Sequence, residues 1–187
     1  MMNSCEDHDF PCQNQDYEAF DGIARAEICN PIDCDTLVNN SEYCMMLPTD
    51  SAFDIGDLTH KLYLKPLKGS SGLYHLWENH ESCSDHDTYT MLCAYVGKGP
   101  PNSRIASHIK EKWRSGVDLY ATFTAIDNRL AKYYEQLFLD TYNFELNSAE
   151  NSGVDKLYAV WDSERYELGT HANEASSLSK MQGFDDW

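Results

Sequence analysis

The sequence predicts an α+β fold: a small, mostly antiparallel three-stranded sheet flanked by helices, with an acidic N-terminal extension. Three observations point there. From residue 61 onward the spacing of apolar residues switches between a period of two and a period of 3.6, giving the order strand, strand, helix, strand, helix. One segment, residues 89–96 (YTMLCAYV), is almost wholly apolar and rich in aromatic and branched side chains, as suits a central strand buried on both faces. Charge divides the chain too. Residues 1–60 hold thirteen acids and one base, residues 61–147 ten of each, and residues 148–187 eight acids and three bases.

The natural division is therefore an acidic arm or cap over 1–60, a central domain over 61–153 and a C-terminal extension over 154–187. In the arm, DYEAFDGIARA reads as a short amphipathic helix with Tyr17, Phe20, Ile23 and Ala24 on one side. Asn30-Pro31 and Pro48 interrupt what surrounds it. KLYLKPL (61–67) reads as a short extended segment, followed by a glycine turn over 68–72. Residues 73–77 form a strand and the polar stretch 78–87 a ten-residue hairpin loop. Pro100 and Pro101 end the strand over 89–96, because proline cannot continue a ladder.

Asn102 or Ser103 is a fitting helix cap, and Ile105, Ile109 and Trp113 then lie on one stripe, with Gly116 placed to end the helix. VDLYATF (117–123) alternates and predicts a strand with one wetter face; residues 127–142 predict a second helix on a Leu130, Tyr134, Leu137/Phe138 stripe. KLYAVWDSERYEL (156–168) reads as one strand or a short helix, and HANEASSLSKMQGFDDW (171–187) as a small polar tail.

The bulk composition excludes some classes. With 42% hydrophobic and 12% aromatic residues, the chain has enough apolar material to fold. No apolar run has the length of a membrane span, and the first twenty residues lack the basic start and apolar stretch of a secretory signal. The expectation is an intracellular protein without membrane contact, or one delivered into another cell by a leaderless route. Seven cysteines, an odd number, read as free thiols in a reducing compartment. A zinc site built from the first five cysteines and His8 is disfavoured by irregular gaps and the lack of any C-x-x-C pair.

Chemistry concentrates in the centre. Gly72-Leu73-Tyr74 opens one strand and Tyr95-Val96-Gly97 closes the next, followed by Lys98, then Arg104 and His108 one turn apart on the same helix face, then Glu135, then Asn147. This ordered set, over about residues 70–153, resembles the GIY-YIG nuclease family, with Leu73 in place of isoleucine in the first motif and a longer hairpin loop. The resemblance implies phosphodiester hydrolysis in DNA. It implies Glu135 as the ligand of Mg²⁺ or Mn²⁺, and Tyr74, Tyr95, Arg104 and His108 as the remaining catalytic residues. Tyr74 is favoured as base, Tyr95 as the group that positions phosphate and His108 as an aid to proton transfer. Physical chemistry agrees with such roles: Mg²⁺ is commonly held by one carboxylate with water and phosphate completing the shell, and a guanidinium forks onto phosphate oxygens.

A net charge of −17 sits awkwardly with DNA. Between Lys98 and Arg114, however, five bases face one acid, so Lys98, Lys110, Lys112 and Arg114 are expected to contact substrate, with Asn147. Restriction, repair and a toxin or effector role all fit this chemistry. Two further readings follow from the acidic arm. One is an inactive nuclease-fold module that binds a protein or nucleic acid; the other is an arm that lies over the basic helix and restrains it, with an inhibitory or carrier protein as partner.

Overall fold

The computed structural model describes residues 5, 8–13, 15–49 and 60–170. It is an α+β fold, but its sheet has five strands rather than three, all neighbours antiparallel, in the order β1-β4-β2-β3-β5. The strands are β1 (Tyr43–Leu47), β2 (Gly72–Cys83), β3 (Thr88–Gly99), β4 (Leu119–Ala125) and β5 (Tyr158–Asp162). The helices are α1 (Glu18–Glu27), α2 (Cys34–Val38), α3 (His60–Leu64), α4 (Pro101–Glu111), α5 (Asn128–Thr141) and α6 (Ser163–Leu168).

The two additional strands come from the flanks. YCMML in the arm pairs with β4, from Tyr43 opposite Phe123 to Leu47 opposite Leu119. YAVWD in the C-terminal extension pairs with β3, from Tyr158 opposite Leu92 to Asp162 opposite Thr88. Five apolar residues carry too little period to separate a strand from a buried helical turn, which is why the sequence leaves β1 unread. The stretch over 156–168 supplies both alternatives, β5 and then α6.

Other elements differ in extent. The polar stretch 78–87 is mostly strand, since β2 runs to Cys83, and only residues 84–87 turn. Polar side chains there lie on the edge strand of a three-stranded part of the sheet, β2-β3-β5, rather than in a loop. KLYLKPL is helical, as α3 followed by a 3-10 turn over Lys65–Leu67. α4 begins at Pro101, which already has the required φ and leaves no N–H of its own to satisfy; the N-cap residue is Pro100, whose ring offers no acceptor, so the helix has no side-chain cap. On α1, Phe20 and Ala24 are buried but Ile23 is exposed. On α5, Leu130 is exposed and Ala131 takes its place in the core. The polar tail over 171–187 lies outside the described residues.

Both faces of the sheet are covered, so β4 has no wet face: Tyr120 and Thr122 are as buried as Leu119 and Ala121. On one face Leu73, Trp77, Val96 and Trp161 pack against Phe20 of α1 and Tyr134 and Phe138 of α5. On the other, Tyr74, Leu76, Tyr95 and Ala121 pack against Leu64 of α3 and Ile105 and Ile109 of α4. The sheet curls enough for α6 to touch both outer strands, β1 and β5. There the buried Arg165 lies over Trp161 and donates to the Ser41 hydroxyl at 2.6 Å, and Thr170 donates to the Cys44 carbonyl at 3.3 Å. The described arm is thus part of the core. α1 packs on α5, on the sheet face opposite α4, so it does not lie over the basic helix.

Candidate functional site

Strand pairing puts Tyr74 opposite Gly97, two residues beyond Tyr95 on β3, so both phenols stand on the α4 face of the sheet. Gly97 makes room for them. A Cβ there would lie 2.6 Å from the Tyr74 hydroxyl and 2.7 Å from Cε1 of Tyr95. The two rings stack with centroids 6.0 Å apart. α4 then lays His108 across them: its ring centroid is 4.3 Å from that of Tyr95, and its Nε2 is 3.3 Å from the Tyr74 hydroxyl.

Arg104, one turn earlier on α4 and exposed, approaches Gly99, whose φ of +99° belongs to a region that favours glycine. The turn at Gly99-Pro100 therefore aims the first turn of α4 back over the end of β3. Glu135 comes from α5, on the other side of the sheet, and reaches the β3 edge beyond the point where β5 stops. It forms an ion pair with Lys98, and its side chain keeps 17% exposure. The structure thus brings Tyr74, Tyr95, Arg104 and His108 together, with the Glu135 carboxylate close enough to Tyr95 to oppose loss of its proton.

Burial dominates the electrostatics. It pushes the Tyr74 phenol far above its ordinary value; the Tyr95 phenol adds to this and the Arg104 guanidinium opposes it. Tyr95 is raised too, mainly by burial, against the pull of Tyr74 and Arg104. His108 is lowered to about 4, by burial first and then by the nearby charges of Lys112 and Arg104. At neutral pH the cluster therefore holds two protonated phenols and an uncharged imidazole. Tyr74 has no exposed surface, whereas Tyr95 keeps 9%.

The remaining expected substrate contacts are distributed differently. Lys112 stands 5.0 Å over the Tyr95 ring and donates to the Leu146 carbonyl at 3.3 Å. Lys110 is exposed near the end of α4. Arg114 points to two acids, Glu78 at 2.8 Å and Glu145 at 3.3 Å. Asn147 accepts from the Val96 N–H at 3.1 Å and donates to the Val96 carbonyl at 2.9 Å, so its whole amide caps the open edge of β3.

One cationic feature escapes a reading by period. Lys61, Lys65 and Lys68 line a shallow cleft with Asn102, Ser103 and Ala106 of α4, beside Arg104. Their spacing of four and then three residues is helical, but reading KLYLKPL as extended hides it.

No family model matches this chain, and no curated protein or solved structure is similar enough to it to match.

Proposed function

We propose that this chain is a metal-dependent endonuclease that hydrolyses phosphodiester bonds in DNA. The single observation that carries the reading is the convergence of Tyr95, Arg104 and His108 on one surface, with the Glu135 carboxylate at its edge. The order and types of these residues are also those that resemble the GIY-YIG nucleases.

Exposure supports one assignment of roles. Tyr74 is enclosed and cannot touch a substrate, so the base role expected for it passes elsewhere. Tyr95 presents its hydroxyl toward the phosphate and the attacking water, and Tyr74 links that hydroxyl to His108. The neutral imidazole is the acceptor at the end of this path: water gives up its proton, the phenols relay it, and Nε2 of His108 holds it while the water oxygen attacks phosphorus and the bond to the leaving sugar oxygen breaks, that oxygen departing as an alkoxide that takes a proton from solvent. Arg104 holds the phosphate oxygens, and the lysine cleft along α3 and α4 continues the cationic path for the strand.

Glu135 suits a single hard-oxygen contact to Mg²⁺ or Mn²⁺, provided the cation displaces the Lys98 ammonium and phosphate and water complete the shell. A cation there would supply positive charge to the developing oxyanion. Lys98, once released, is placed to add its own charge to the phosphate.

Purified protein with Mg²⁺ or Mn²⁺ is expected to nick supercoiled plasmid, and Glu135→Ala to slow this by more than about 100-fold, the scale of a lost metal contact. An intact plasmid across metals and salt concentrations, with DNA retained in a binding assay, would replace this reading with that of an inactive binding module.

A further inference from the structure

A second cluster lies at the far end of β2, with a different chemistry. Cys83 ends that strand, buried, and His86 sits in the turn that follows. From the N-terminal segment come Cys5 and Cys12. The three sulfurs and one ring nitrogen all lie within 4.8 Å of one another. Cys5 Sγ is 3.0 Å from Cys12 Sγ, Cys12 Sγ is 3.1 Å from Nδ1 of His86, and Cys83 Sγ is 3.4 Å from the same nitrogen. Among the described residues this is the one grouping of metal-ligating side chains with three or more members.

We propose that Cys5, Cys12, Cys83 and His86 form a structural zinc site that staples the N-terminal segment to the tip of the β2–β3 hairpin. The donor set decides the metal. Three thiolates and an imidazole are soft to borderline ligands, suited to a tetrahedral Cys₃His zinc centre and unsuited to Mg²⁺ or Ca²⁺. The size agrees: tetrahedral Zn–S bonds of about 2.3 Å put sulfurs about 3.8 Å apart, within the spread of this cluster. Four protein ligands leave no open position, so the site is structural rather than catalytic.

The location agrees as well. Residues 8–13 have no regular secondary structure, and Phe10 is their aromatic anchor, against His80 at 5.2 Å and Tyr158 at 5.0 Å. The Cys5 N–H donates to the Asp85 carboxylate at 3.2 Å, holding the segment beside the turn. A metal crosslink would offset the entropy of ordering so short a stretch, which has no regular secondary structure. His8 is not part of the cluster; its Nε2 faces the Glu81 carboxylate at 3.6 Å. The spacing Cys83-x-x-His86 was the available signal in the sequence, concealed because its partners lie more than seventy residues away. Tyr74 and Cys83 are nine residues apart on one strand, about 30 Å at a strand's rise, so this site and Glu135 are independent.

The test is the metal content of the full chain, purified under reducing conditions without chelator, by inductively coupled plasma mass spectrometry. About one zinc per chain is expected, retained on dialysis and in Glu135→Ala. The double variant C83S/H86A is expected to lose it, whereas H86C, which keeps four ligands, retains it. Cobalt loading should give a thiolate-to-metal charge-transfer band in wild type and H86C alone. Zinc below about a tenth of an equivalent, iron or copper in its place, or a Cys5–Cys12 disulfide in the reduced preparation would each overturn the proposal. The wild-type and H86C results stand even if C83S/H86A does not fold.

Discussion

Gly97 decides whether the two phenols can share one patch. Its missing side chain is filled by the Tyr74 hydroxyl and the edge of the Tyr95 ring. Gly97→Ala forces both rings aside within a packed layer, where an added methyl costs about 1–3 kcal/mol. The expected outcome is a folded protein, less stable by that amount in urea titration, with cleavage reduced at least about tenfold if the phenols act as proposed, because groups moved off a reacting centre lose far more rate than stability. Activity equal to wild type would mean that the phenols take no part. His108 makes a separate, pH-dependent prediction. The imidazole must be uncharged to accept a proton, and its value of about 4 keeps it so throughout the neutral range. The rate constant kcat/KM should therefore stay flat from neutral pH down to mildly acidic conditions and fall as pH falls through about 4. His108→Ala should lose about 10²–10⁴-fold at every pH in the flat range. A tyrosinate base predicts the opposite profile, a rate that climbs about tenfold per pH unit through the alkaline range, because burial has raised both phenols.

Among the elements, the loop from Tyr142 to Gly153 shows how a residue expected to touch substrate can instead hold the frame. β5 covers β3 only as far as Leu92, so around Val96 the edge of β3 away from β2 has no strand beside it. The Leu146 N–H donates to the Ala94 carbonyl at 3.0 Å, and the amide of Asn147 makes both bonds to Val96. Asn151 does the same for Phe144, accepting from its N–H at 3.0 Å and donating to its carbonyl at 2.8 Å. Asn147→Ala leaves a part-buried donor and acceptor on Val96 without partners, which costs about 1–3 kcal/mol. Faster amide exchange at Val96, with KM for DNA little changed, is expected; a large rise in KM at full stability would return Asn147 to the substrate. The sequence carried the helices α4 and α5 and the strand β3, since each repeats its pattern several times, but it carried only the first half of β2, because the polar side chains over 78–83 read as a loop. It carried the ion pairs of Arg114 poorly, because Glu78 and Glu145 become neighbours only through the sheet. The convergence of Tyr74, Tyr95, Arg104 and His108 was legible as spacing and order. The enclosure of Tyr74 was not, since burial depends on what α4 lays over it.

At the scale of the whole molecule, the charge pattern marks residues 1–60 as an acidic arm or cap, and the described part of that region supplies a strand and core residues to the fold. Acidity marks the exposed sides of α1 and α2, while Phe20, Leu37, Val38 and Leu47 are fully enclosed. Net charge says how a segment meets solvent, whereas the few apolar residues between its acids decide whether it docks. Removing residues 1–49 would strip β1 from β4, expose the backbone of a central strand and empty four large core positions. Each such side chain contributes about 1.5–3 kcal/mol by burial, so their sum rivals the stability of an ordinary domain. The truncated chain is expected to aggregate or run as an unfolded species on size exclusion, without a cooperative thermal transition and without cleavage activity at any salt concentration. A truncated chain that melts cooperatively and cuts DNA faster than the full chain would instead restore the arm as a removable restraint. Charge neutralisation of exposed α1 positions, with Glu18→Gln and Glu27→Gln, separates the two accounts, since it removes acidity while leaving the core intact. Because both carboxylates are exposed and α4 lies on the opposite face of the sheet, cleavage within about twofold of wild type is expected in that variant, since solvent and salt screen such charges.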